Sequence, residues 1–517
     1  MPADRAAPPS PGPPAPTAAS EPRARRALAL LVAAYTLAVL VAAYTLLYGW
    51  LCWRRYATFH AQIDLSYYLR LVWGLAFGHL DLPLVQCRHV IGLHLEPVLL
   101  PLVALRRLGV PGAPLLLCVQ AAVVALLAWP AYRLGRRHLG GPGPALAFSL
   151  AALLYPTVTV ATLHDFHPVT LALAPLLGVI DALDEGRLRR GLLLGALALM
   201  CREDVAVQLA LLCLAHALWP PAAINQRYTR PILIRIRIML ISIATMLVGY
   251  FVIYLFIQRP YIPQLGSYGL HFAALPGGES ARSGTDLLRL LVRRPWRVLP
   301  LLLSADRLRY LFELLWPLVF LPLLAPRALA GALPVLLINF LSGFPKVRSI
   351  ESHYTTALVP FVLGAAVLGA GRLRRWIELR GGELRGGGRR AGPLLAGLLV
   401  AGTALAHGLH GGSPLALRSP RYRATDFVDG PEAPSLRQKV AAVPPAVSVA
   451  ARPGPLAHLC ERPRATSPPE YDDGQPVDVV LTEEARPTGE RRIGNLRVLE
   501  QKPEQKPGQK PEPEAAR

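Results

Sequence analysis

Two histidines flank a carboxylate in the short stretch HDFHP at residues 164–168, which lies between two apolar runs. The imidazoles of His164 and His167 and the carboxylate of Asp165 are side chains that bind zinc and other divalent metal ions. The spacing matches no established ligand set, and a polar turn between two helices would also contain such residues. The stretch therefore predicts either a partial metal site or a solvated turn.

Asp64 stands near the start of a second segment, QIDLSYYLRLVWGLAFG at residues 62–78. Its apolar periodicity and its aromatic residues predict an amphipathic helix at a membrane surface, where tyrosine and tryptophan are enriched. That role explains the aromatic side chains, but it leaves a carboxylate at the helix start unexplained. Asp64 is therefore either an N-cap or a functional acid.

The sequence CREDV at residues 201–205 places three consecutive charges in an otherwise apolar stretch. A hairpin needs only glycine or asparagine there, so Arg202, Glu203 and Asp204 favour a paired network that faces a cavity. The alternative is that Arg202 simply neutralises one carboxylate.

The sequence PKVRSIESHY at residues 345–354 combines two cations with His353 and Tyr354. Lys346 is one of only five lysines in the chain, and Arg348 follows two residues later. Two cations beside the end of an apolar helix suit a phosphate or diphosphate group. A solvated loop is the other interpretation.

The composition indicates what kind of chain must position these residues. Of its 517 residues, 53% are hydrophobic and only 17% are charged, against about 25% in an ordinary soluble domain. This excludes a disordered chain and a typical soluble enzyme, and it indicates a protein within a lipid bilayer. The net charge of +22 fits either nucleic-acid binding or basic cytoplasmic loops.

Eleven apolar runs predict an all-α polytopic membrane protein with about 11 transmembrane helices. The first extends from 27 to about 50, follows three arginines and has no cleavage site, so we expect an uncleaved helix with the N-terminus inside. The other ten lie near 113–131, 144–160, 168–183, 189–201, 205–219, 232–257, 308–325, 328–342, 354–371 and 392–410.

In this arrangement every strongly basic short loop falls on the inner face, which removes most of the motive for a nucleic-acid partner. These loops contain Arg133, Arg136 and Arg137; Arg187, Arg189 and Arg190; Arg227, Arg230, Arg235 and Arg237; Arg327; and seven arginines from Arg372 to Arg390. A full span at 95–110 would reverse this pattern. We therefore expect a re-entrant or interfacial helix there, with Arg106 and Arg107 at the headgroups. The patches rich in histidine and acids then lie on the outer face, where we expect the site.

The predicted domain organisation has four parts. They are a disordered cytoplasmic N-terminus at 1–26, a multi-pass membrane domain at 27–411 with an outer loop at 51–112 that contains juxtamembrane helices, a small extracytoplasmic α/β module at 412–500, and a disordered tail at 501–517. In the module we expect a helix at 435–443 and strands at 446–450 and 477–481. Cys52 and Cys87 could lie on one side of the membrane and either pair or stay reduced.

Taken together, Asp64 in its helix, HLEP at 94–97, HDFHP, CRED and SHYTTALVPF resemble the DUF-2079 family of uncharacterised bacterial multi-pass membrane proteins, over about residues 55–370. That family is similar, more distantly, to the GT-C glycosyltransferases, polytopic enzymes that take a sugar from a polyprenyl-phosphate carrier on the outer side of the membrane. Their signature is an aspartate in the first outer loop, where Asp64 stands. Asp165 and Arg202 occupy the positions of a second acid and of a basic residue. HDFHP and CRED are not standard GT-C strings, and a shared scaffold does not establish shared chemistry.

The resemblance implies a GT-C-like enzyme of the bacterial cytoplasmic membrane that transfers a sugar to an envelope acceptor. Asp64 would be the general base, and Asp165 or Glu203 would orient the acceptor or a divalent ion. The donor phosphate would be bound by Arg202, Lys346, Arg348, His353 and Tyr354. A divalent metal ion would be bound by His94, Glu96, His164 and His167. A transporter or flippase and a non-catalytic envelope assembly protein remain as alternatives.

Overall fold

The computed structural model is mostly helical and describes residues 21–80, 94–219, 248–249, 252, 272, 275, 284–293, 295–380, 387–417, 422–467, 477–481 and 497–498. Its first eleven helices are α1 Glu21–Ala57, α2 Ile63–Phe77, α3 Leu100–Arg107, α4 Gly112–Ala125, α5 Ala128–His138, α6 Pro142–Leu154, α7 Pro156–Leu163, α8 Pro168–Leu171, α9 Leu173–Glu185, α10 Leu188–Leu199 and α11 Val205–Leu218. Nine more follow: α12 Gly284–Arg293, α13 Leu299–Leu302, α14 Ala305–Leu315, α15 Pro326–Leu329, α16 Leu333–Leu341, α17 Val359–Arg380, α18 Gly387–His410, α19 Ala433–Ala442 and α20 Pro453–Leu459.

Four described helical stretches are long and apolar enough to cross a membrane: Ala27–Ala57, Gly112–His138, His353–Arg380 and Arg390–His410. A fifth is the pair α6 and α7, which bends by 49° at Tyr155 and Pro156. Proline lacks an N–H and clashes with the preceding turn, which explains a break at that point. The described part of the chain thus contains four to five candidate spans, while the count of eleven stays a prediction. Most of the run at 232–257 lies outside the described residues.

The central helix of the bundle is α17. All thirteen residues from Val359 to Gly371 are buried. Small residues let neighbouring helices approach closely, as is common between membrane helices: a Cβ at Gly364 would lie 2.7 Å from Ile180 of α9, and one at Gly135 would lie 2.9 Å from the Cα of Ala145. The core is therefore built around α17, with α5 and α9 against it.

The segment 95–110 does not form a full span. It contains a 3₁₀ turn, Pro97–Leu99, and α3, whose eight residues reach about 12 Å. Both of its arginines have partners within the protein, while their position at the headgroups stays a prediction. Arg106 forms a two-point ion pair with Glu461 (Nε–Oε1 3.0 Å, Nη2–Oε2 2.9 Å), and Arg107 donates to the carbonyl of Ala76 at 2.6 Å. The segment therefore binds α2 and the C-terminal region.

The first helix is longer at both ends than expected. It starts at Glu21, inside the predicted disordered segment, and it ends at Ala57, beyond the predicted start of the outer loop. The remainder of the N-terminus and the tail at 501–517 lie outside the described residues. So does Cys87, while the free thiol of Cys52 donates to the carbonyl of Thr162 at 3.1 Å.

The C-terminal region contains four short parallel strands in the order β2-β1-β3-β4. They are β1 Val449–Ala451, β2 Ala465–Thr466, β3 Val479–Leu481 and β4 Arg497–Val498. The α19 helix precedes this sheet, close to the expected 435–443, and α20 connects β1 to β2. The parallel pairing follows from that crossover, because a helix between two strands returns the chain in the same direction.

Acidic residues also pair with arginines of the loops that the sequence pattern predicts to be plainly basic. Asp181 of α9 is fully buried and lies 2.8 Å from both Arg133 and Arg190. Arg133 also pairs with Glu185, and Arg137 with Asp184. A buried carboxylate is costly unless it is paired, so arginines of the predicted basic loops neutralise acids at the end of α9.

Candidate metal centre

Asp64 and three histidines form one cluster. His164, His167 and His353 each place one ring nitrogen, and Asp64 one carboxylate oxygen, so that all four atoms lie within 4.8 Å of one another. Both His164 Nε2 and His167 Nε2 lie 3.5 Å from Asp64 Oδ2. The four groups come from three separate segments of the chain, namely α2, the loop before α8 and the turn before α17.

The three imidazole rings are stacked against each other, with centroid distances of 4.3 to 5.4 Å. The Nδ1 atom of His353 is buried and has no hydrogen-bond partner among the described residues. One carboxylate cannot satisfy the inward nitrogens of three rings, and an unsatisfied buried polar atom is costly. A bound cation would satisfy all of them at once.

The electrostatics of the cluster follow from this arrangement. Burial alone would raise the pKa of Asp64, but the hydrogen bonds and charge of His164 and His167 hold it well below its usual range. Burial also lowers the pKa of His167, but the nearby Asp64 carboxylate raises it by more, so the pKa of His167 is raised. For His164, burial dominates and the pKa is lowered. Asp64 is thus an anion, and its side chain keeps 35% of its surface exposed, so solutes can reach this edge.

Asp165 supports the cluster without joining it. Its Oδ1 accepts a hydrogen bond from the N–H of Gln62 at 3.0 Å, and its Oδ2 accepts one from Leu65 at 2.8 Å. The carboxylate therefore satisfies orphan N–H groups at the start of α2. The capping role considered for Asp64 is performed by Asp165, which leaves Asp64 free to face the histidines.

The side chain of Gln120 in α4 fixes the HDFHP loop through hydrogen bonds to its backbone. Its Nε2 donates to the carbonyls of Thr162 and Asp165, both at 2.9 Å. Its Oε1 accepts from the N–H of His167 and from the hydroxyl of Thr170, also at 2.9 Å. Gln120 is not among the residues predicted from the sequence, although a glutamine within an apolar run is itself a signal.

The other predicted ligands form a neighbouring network. His94 Nδ1 lies 2.9 Å from Glu203, which also accepts from the N–H of Leu95 at 3.0 Å. Burial lowers the pKa of His94, but the neighbouring Glu203 raises it by more, so the pKa of His94 is raised. For Glu203, burial raises the pKa, but His94 lowers it by more, so the pKa of Glu203 is lowered. His94 is therefore engaged with Glu203 rather than with His164 and His167.

Glu96 is buried beside Tyr68, whose hydroxyl donates to Glu96 Oε1 at 3.1 Å. Burial raises the pKa of Glu96 to about 7. The ring of Tyr68 lies 5.9 Å from the ring of His167. Tyr68 thus connects this weakly acidic carboxyl group to the histidine cluster.

Arg202 pairs with Asp204 beside this network, with Nε 2.8 Å from Oδ1. Burial opposes the charge, but Asp204 and Glu203 raise the pKa of Arg202 further above its usual value. The Arg202 side chain remains 24% exposed. It is a fixed cation at the edge of the site.

The predicted phosphate-binding residues have different surroundings. Arg348 binds Asp306 (Nη2–Oδ2 2.9 Å), an acid that none of the sequence motifs contains, and Lys346 is exposed. Tyr354 is 44% exposed, with its ring 4.1 Å from that of His353. Only His353 of this group belongs to the four-residue cluster.

The membrane character and the outer-loop motifs agree with a comparison against known families. Residues 55–384 match the family model described as "Predicted membrane protein (DUF2079)". The match covers more than half of the chain, so the chain belongs to this family of membrane proteins. No curated protein matches the chain.

Proposed function

We propose that this DUF2079 protein is a metal-dependent enzyme whose divalent ion is held by Asp64, His164, His167 and His353. One observation carries the proposal: three distant segments converge to place one carboxylate and three imidazoles within 4.8 Å of one another. A scaffold has no need for such convergence, and ionisable residues near a membrane mark functional sites by default.

The donor set favours a transition metal over magnesium. Imidazole suits zinc, copper, iron and nickel, whereas magnesium prefers oxygen ligands. Zinc bonds of 2.0–2.1 Å in a tetrahedral site imply ligand-to-ligand distances of about 3.3–3.4 Å. The two contacts of 3.5 Å from Asp64 to His164 and His167 are close to that spacing, and all four ligand atoms lie within 4.8 Å of one another.

The reaction we propose is transfer of a sugar from a polyprenyl-phosphate carrier to an envelope acceptor. Two points support it: Asp64 follows the first helix α1, the place at which GT-C enzymes have their aspartate, and the cluster is partly exposed at Asp64. When bound, the ion would stabilise the anionic phosphate as it leaves. Arg202, fixed by Asp204, supplies further positive charge at the same edge.

Proton transfer from the acceptor is assigned to Glu96 in place of Asp64. An Asp64 that faces the ion is a poor base, while Asp165 and Glu203 are already engaged by backbone N–H groups. Glu96 is a further buried carboxyl group among the described residues of this region, and its pKa of about 7 suits a general base at neutral pH. Tyr68 orients it by donating to Oε1.

The placement in the membrane also belongs to this proposal. We place the protein in the bacterial cytoplasmic membrane, with the N-terminus on the cytoplasmic side. Residues 412–500 then form a small α/β module on the outer side. Three contacts support a position beside the outer site: Arg106 with Glu461, Arg70 with the carbonyl of Pro463 at 3.0 Å, and His458 with the carbonyl of Tyr56 at 2.9 Å. The four-stranded parallel sheet supports its α/β character.

The test combines metal content with lipid-linked products. Protein purified in detergent should contain about one transition-metal ion per chain by elemental mass spectrometry, and His167→Ala and Asp64→Asn should lose it. His60→Ala, an outer histidine outside the cluster, is the matched control. In cells, Asp64→Asn should abolish the change in envelope glycans and polyprenyl-linked sugars that separates wild type from a deletion strain.

Two outcomes would contradict the proposal. Equal metal content in wild type, His167→Ala and His60→Ala would remove the metal site. A bound metal together with an unchanged glycan and carrier profile in the deletion strain would remove the transferase and favour a transporter, a flippase or an assembly protein.

A further inference from the structure

A second site lies at the opposite end of the helix bundle. A cavity of about 1080 Å³ opens where α5, α9 and α17 end, beside α11 and α15. Gln120, which binds the HDFHP loop, and Arg137, which lines the cavity, are separated by seventeen residues of nearly continuous helix, or roughly 25 Å. The cavity is therefore remote from the metal centre.

The charge of the cavity is strongly positive. Arg137 and Asp184 lie 3.1 Å apart and offset one another. Three further lining arginines, Arg327, Arg372 and Arg375, form no ion pair with any carboxylate in the described part of the chain. Arg327 donates to the carbonyl of Trp219 and Arg372 to that of Leu324, and both guanidinium groups retain other donors. The cavity thus offers an uncompensated cluster of guanidinium groups.

The chain that follows Trp219 does not offset this charge. Residues 220–247 contain four arginines and neither aspartate nor glutamate. Among the described residues, the arginines of the cavity therefore lack a counter-charge that an external anion could supply. Guanidinium groups bind phosphate through paired hydrogen bonds, which makes phosphate the best-matched group.

The remaining wall is apolar and accessible. Leu333 is 53% exposed and Trp219 is 65% exposed, and Leu329 and Leu368 line the same space. A free inorganic anion would contact the arginines only and would leave these apolar surfaces without a bound partner. A ligand with a phosphate group and a hydrocarbon chain would cover them and gain their burial.

We propose that this cavity binds an anionic lipid, with the phosphate on Arg327, Arg372 and Arg375 and the hydrocarbon along Trp219, Leu333 and Leu368. Basic pockets between transmembrane helices bind anionic headgroups in this way. The site does not depend on the proposed reaction, since its residues are separate from the metal cluster.

The experiment compares lipid retention by native mass spectrometry of the full chain, delipidated in neutral detergent. The probes are phosphatidylglycerol, phosphatidylcholine and inorganic phosphate at equal concentration. The test variant is Arg372→Gln/Arg375→Gln. The control is Arg189→Gln/Arg390→Gln, two exposed arginines that do not line the cavity.

We expect wild type and control to retain phosphatidylglycerol over phosphatidylcholine, and the test variant to lose affinity by about tenfold or more, the scale of a charge-assisted hydrogen bond. If the double variant does not fold, Arg375→Gln alone should still lose several-fold. Equal phosphatidylglycerol retention by all variants would overturn the site. If inorganic phosphate displaced bound phosphatidylglycerol as well as free phosphatidylglycerol does, the lipid assignment would be overturned.

Discussion

The carboxylate of Asp165 accepts a hydrogen bond from the N–H of Leu65 at 2.8 Å, one residue beyond Asp64. The contact joins the HDFHP loop to the start of α2. It therefore fixes the carboxylate of Asp64 relative to His164 and His167 of that loop. Asp165 is therefore a positioning residue for the proposed metal centre. The same loop supplies both two ligands and the support of a third.

Replacement of Asp165 should weaken metal binding without removing a ligand. Asp165→Ala leaves N–H groups of α2 unsatisfied and should cost about 0.5–2 kcal/mol of stability. Metal affinity should fall about 10- to 100-fold, as for other residues that orient ligands, and excess metal should restore occupancy. Metal titration with competing chelators measures this. Asp429→Ala, which removes an exposed carboxylate paired with Arg437, is the control; a loss that excess metal cannot restore would contradict the positioning role.

The stability of the protein should depend on Glu96 between about pH 4.5 and 7. Because the folded pKa of Glu96 is raised to about 7, the folded state retains a proton that the unfolded state releases, and stability falls as pH rises through this window. Above pH 7 both states are ionised and the loss is complete. Glu96→Gln should remove this part of the decline, which amounts to about 1.4 kcal/mol for each pH unit that separates the folded pKa from the unfolded pKa.

Thermal unfolding in detergent from pH 4 to 8 measures the effect of Glu96→Gln. The relevant quantity is the difference between wild type and variant, because other groups titrate in both. Glu432→Gln changes an exposed carboxylate and should follow the wild-type curve. Parallel curves for wild type and Glu96→Gln would show that Glu96 does not carry the dependence.

Arg348 should contribute through Asp306 and not through a ligand. Arg348→Ala and Asp306→Ala should be non-additive in stability, with a coupling of roughly 0.5–1 kcal/mol, as expected for a contact pair that is partly exposed. Lys346→Ala should stay within about 0.5 kcal/mol of wild type. Denaturant unfolding of the double-mutant cycle gives the coupling. A coupling of zero, with lowered phosphate affinity in both Lys346→Ala and Arg348→Ala, would restore the phosphate-binding interpretation.

Gly454 should be essential for docking the C-terminal region on the end of α1. A Cβ there would lie 2.0 Å from the carbonyl oxygen of Phe59, a backbone atom that cannot move aside easily. Gly454→Ala should therefore lower the melting temperature by several degrees and increase proteolysis of the C-terminal region. Gly430→Ala, where a Cβ meets nothing within 4 Å, should match wild type. Equal protease resistance of the two variants would refute the close contact.

Part of the site could be predicted from the sequence. Asp64, His164 and His167 are identifiable from residue type and from their loops on one face, and the structure brings them together. The sequence places His353 with the phosphate-binding residues because 186 residues separate it from His167, and no local pattern shows that α17 returns its start to the HDFHP loop. The partners of Glu203 and Arg348 depend on the same long-range packing.

Hydropathy is less informative about helix length and buried acids. A run such as 144–160 is typical of one span, but Pro156 divides it into α6 and α7 with a bend of 49°. Asp181 lies within another apolar run, at 168–183, and its arginine partners lie on other elements. A hydropathy window averages over such a residue, whereas a lone acid in an apolar run requires a partner in space.

The turn before α17 carries His353, and the far end of α17 carries Arg372 and Arg375. The distance along this helical stretch is roughly 30–35 Å, close to the thickness of the hydrocarbon core of a bilayer. Helices respond to a thinner bilayer by tilting. A tilt of α17 would move His353 relative to His164 and His167, which belong to a different segment. With α17 placed across the bilayer, as we propose, we expect the geometry of the proposed metal centre to respond to the thickness of the surrounding membrane.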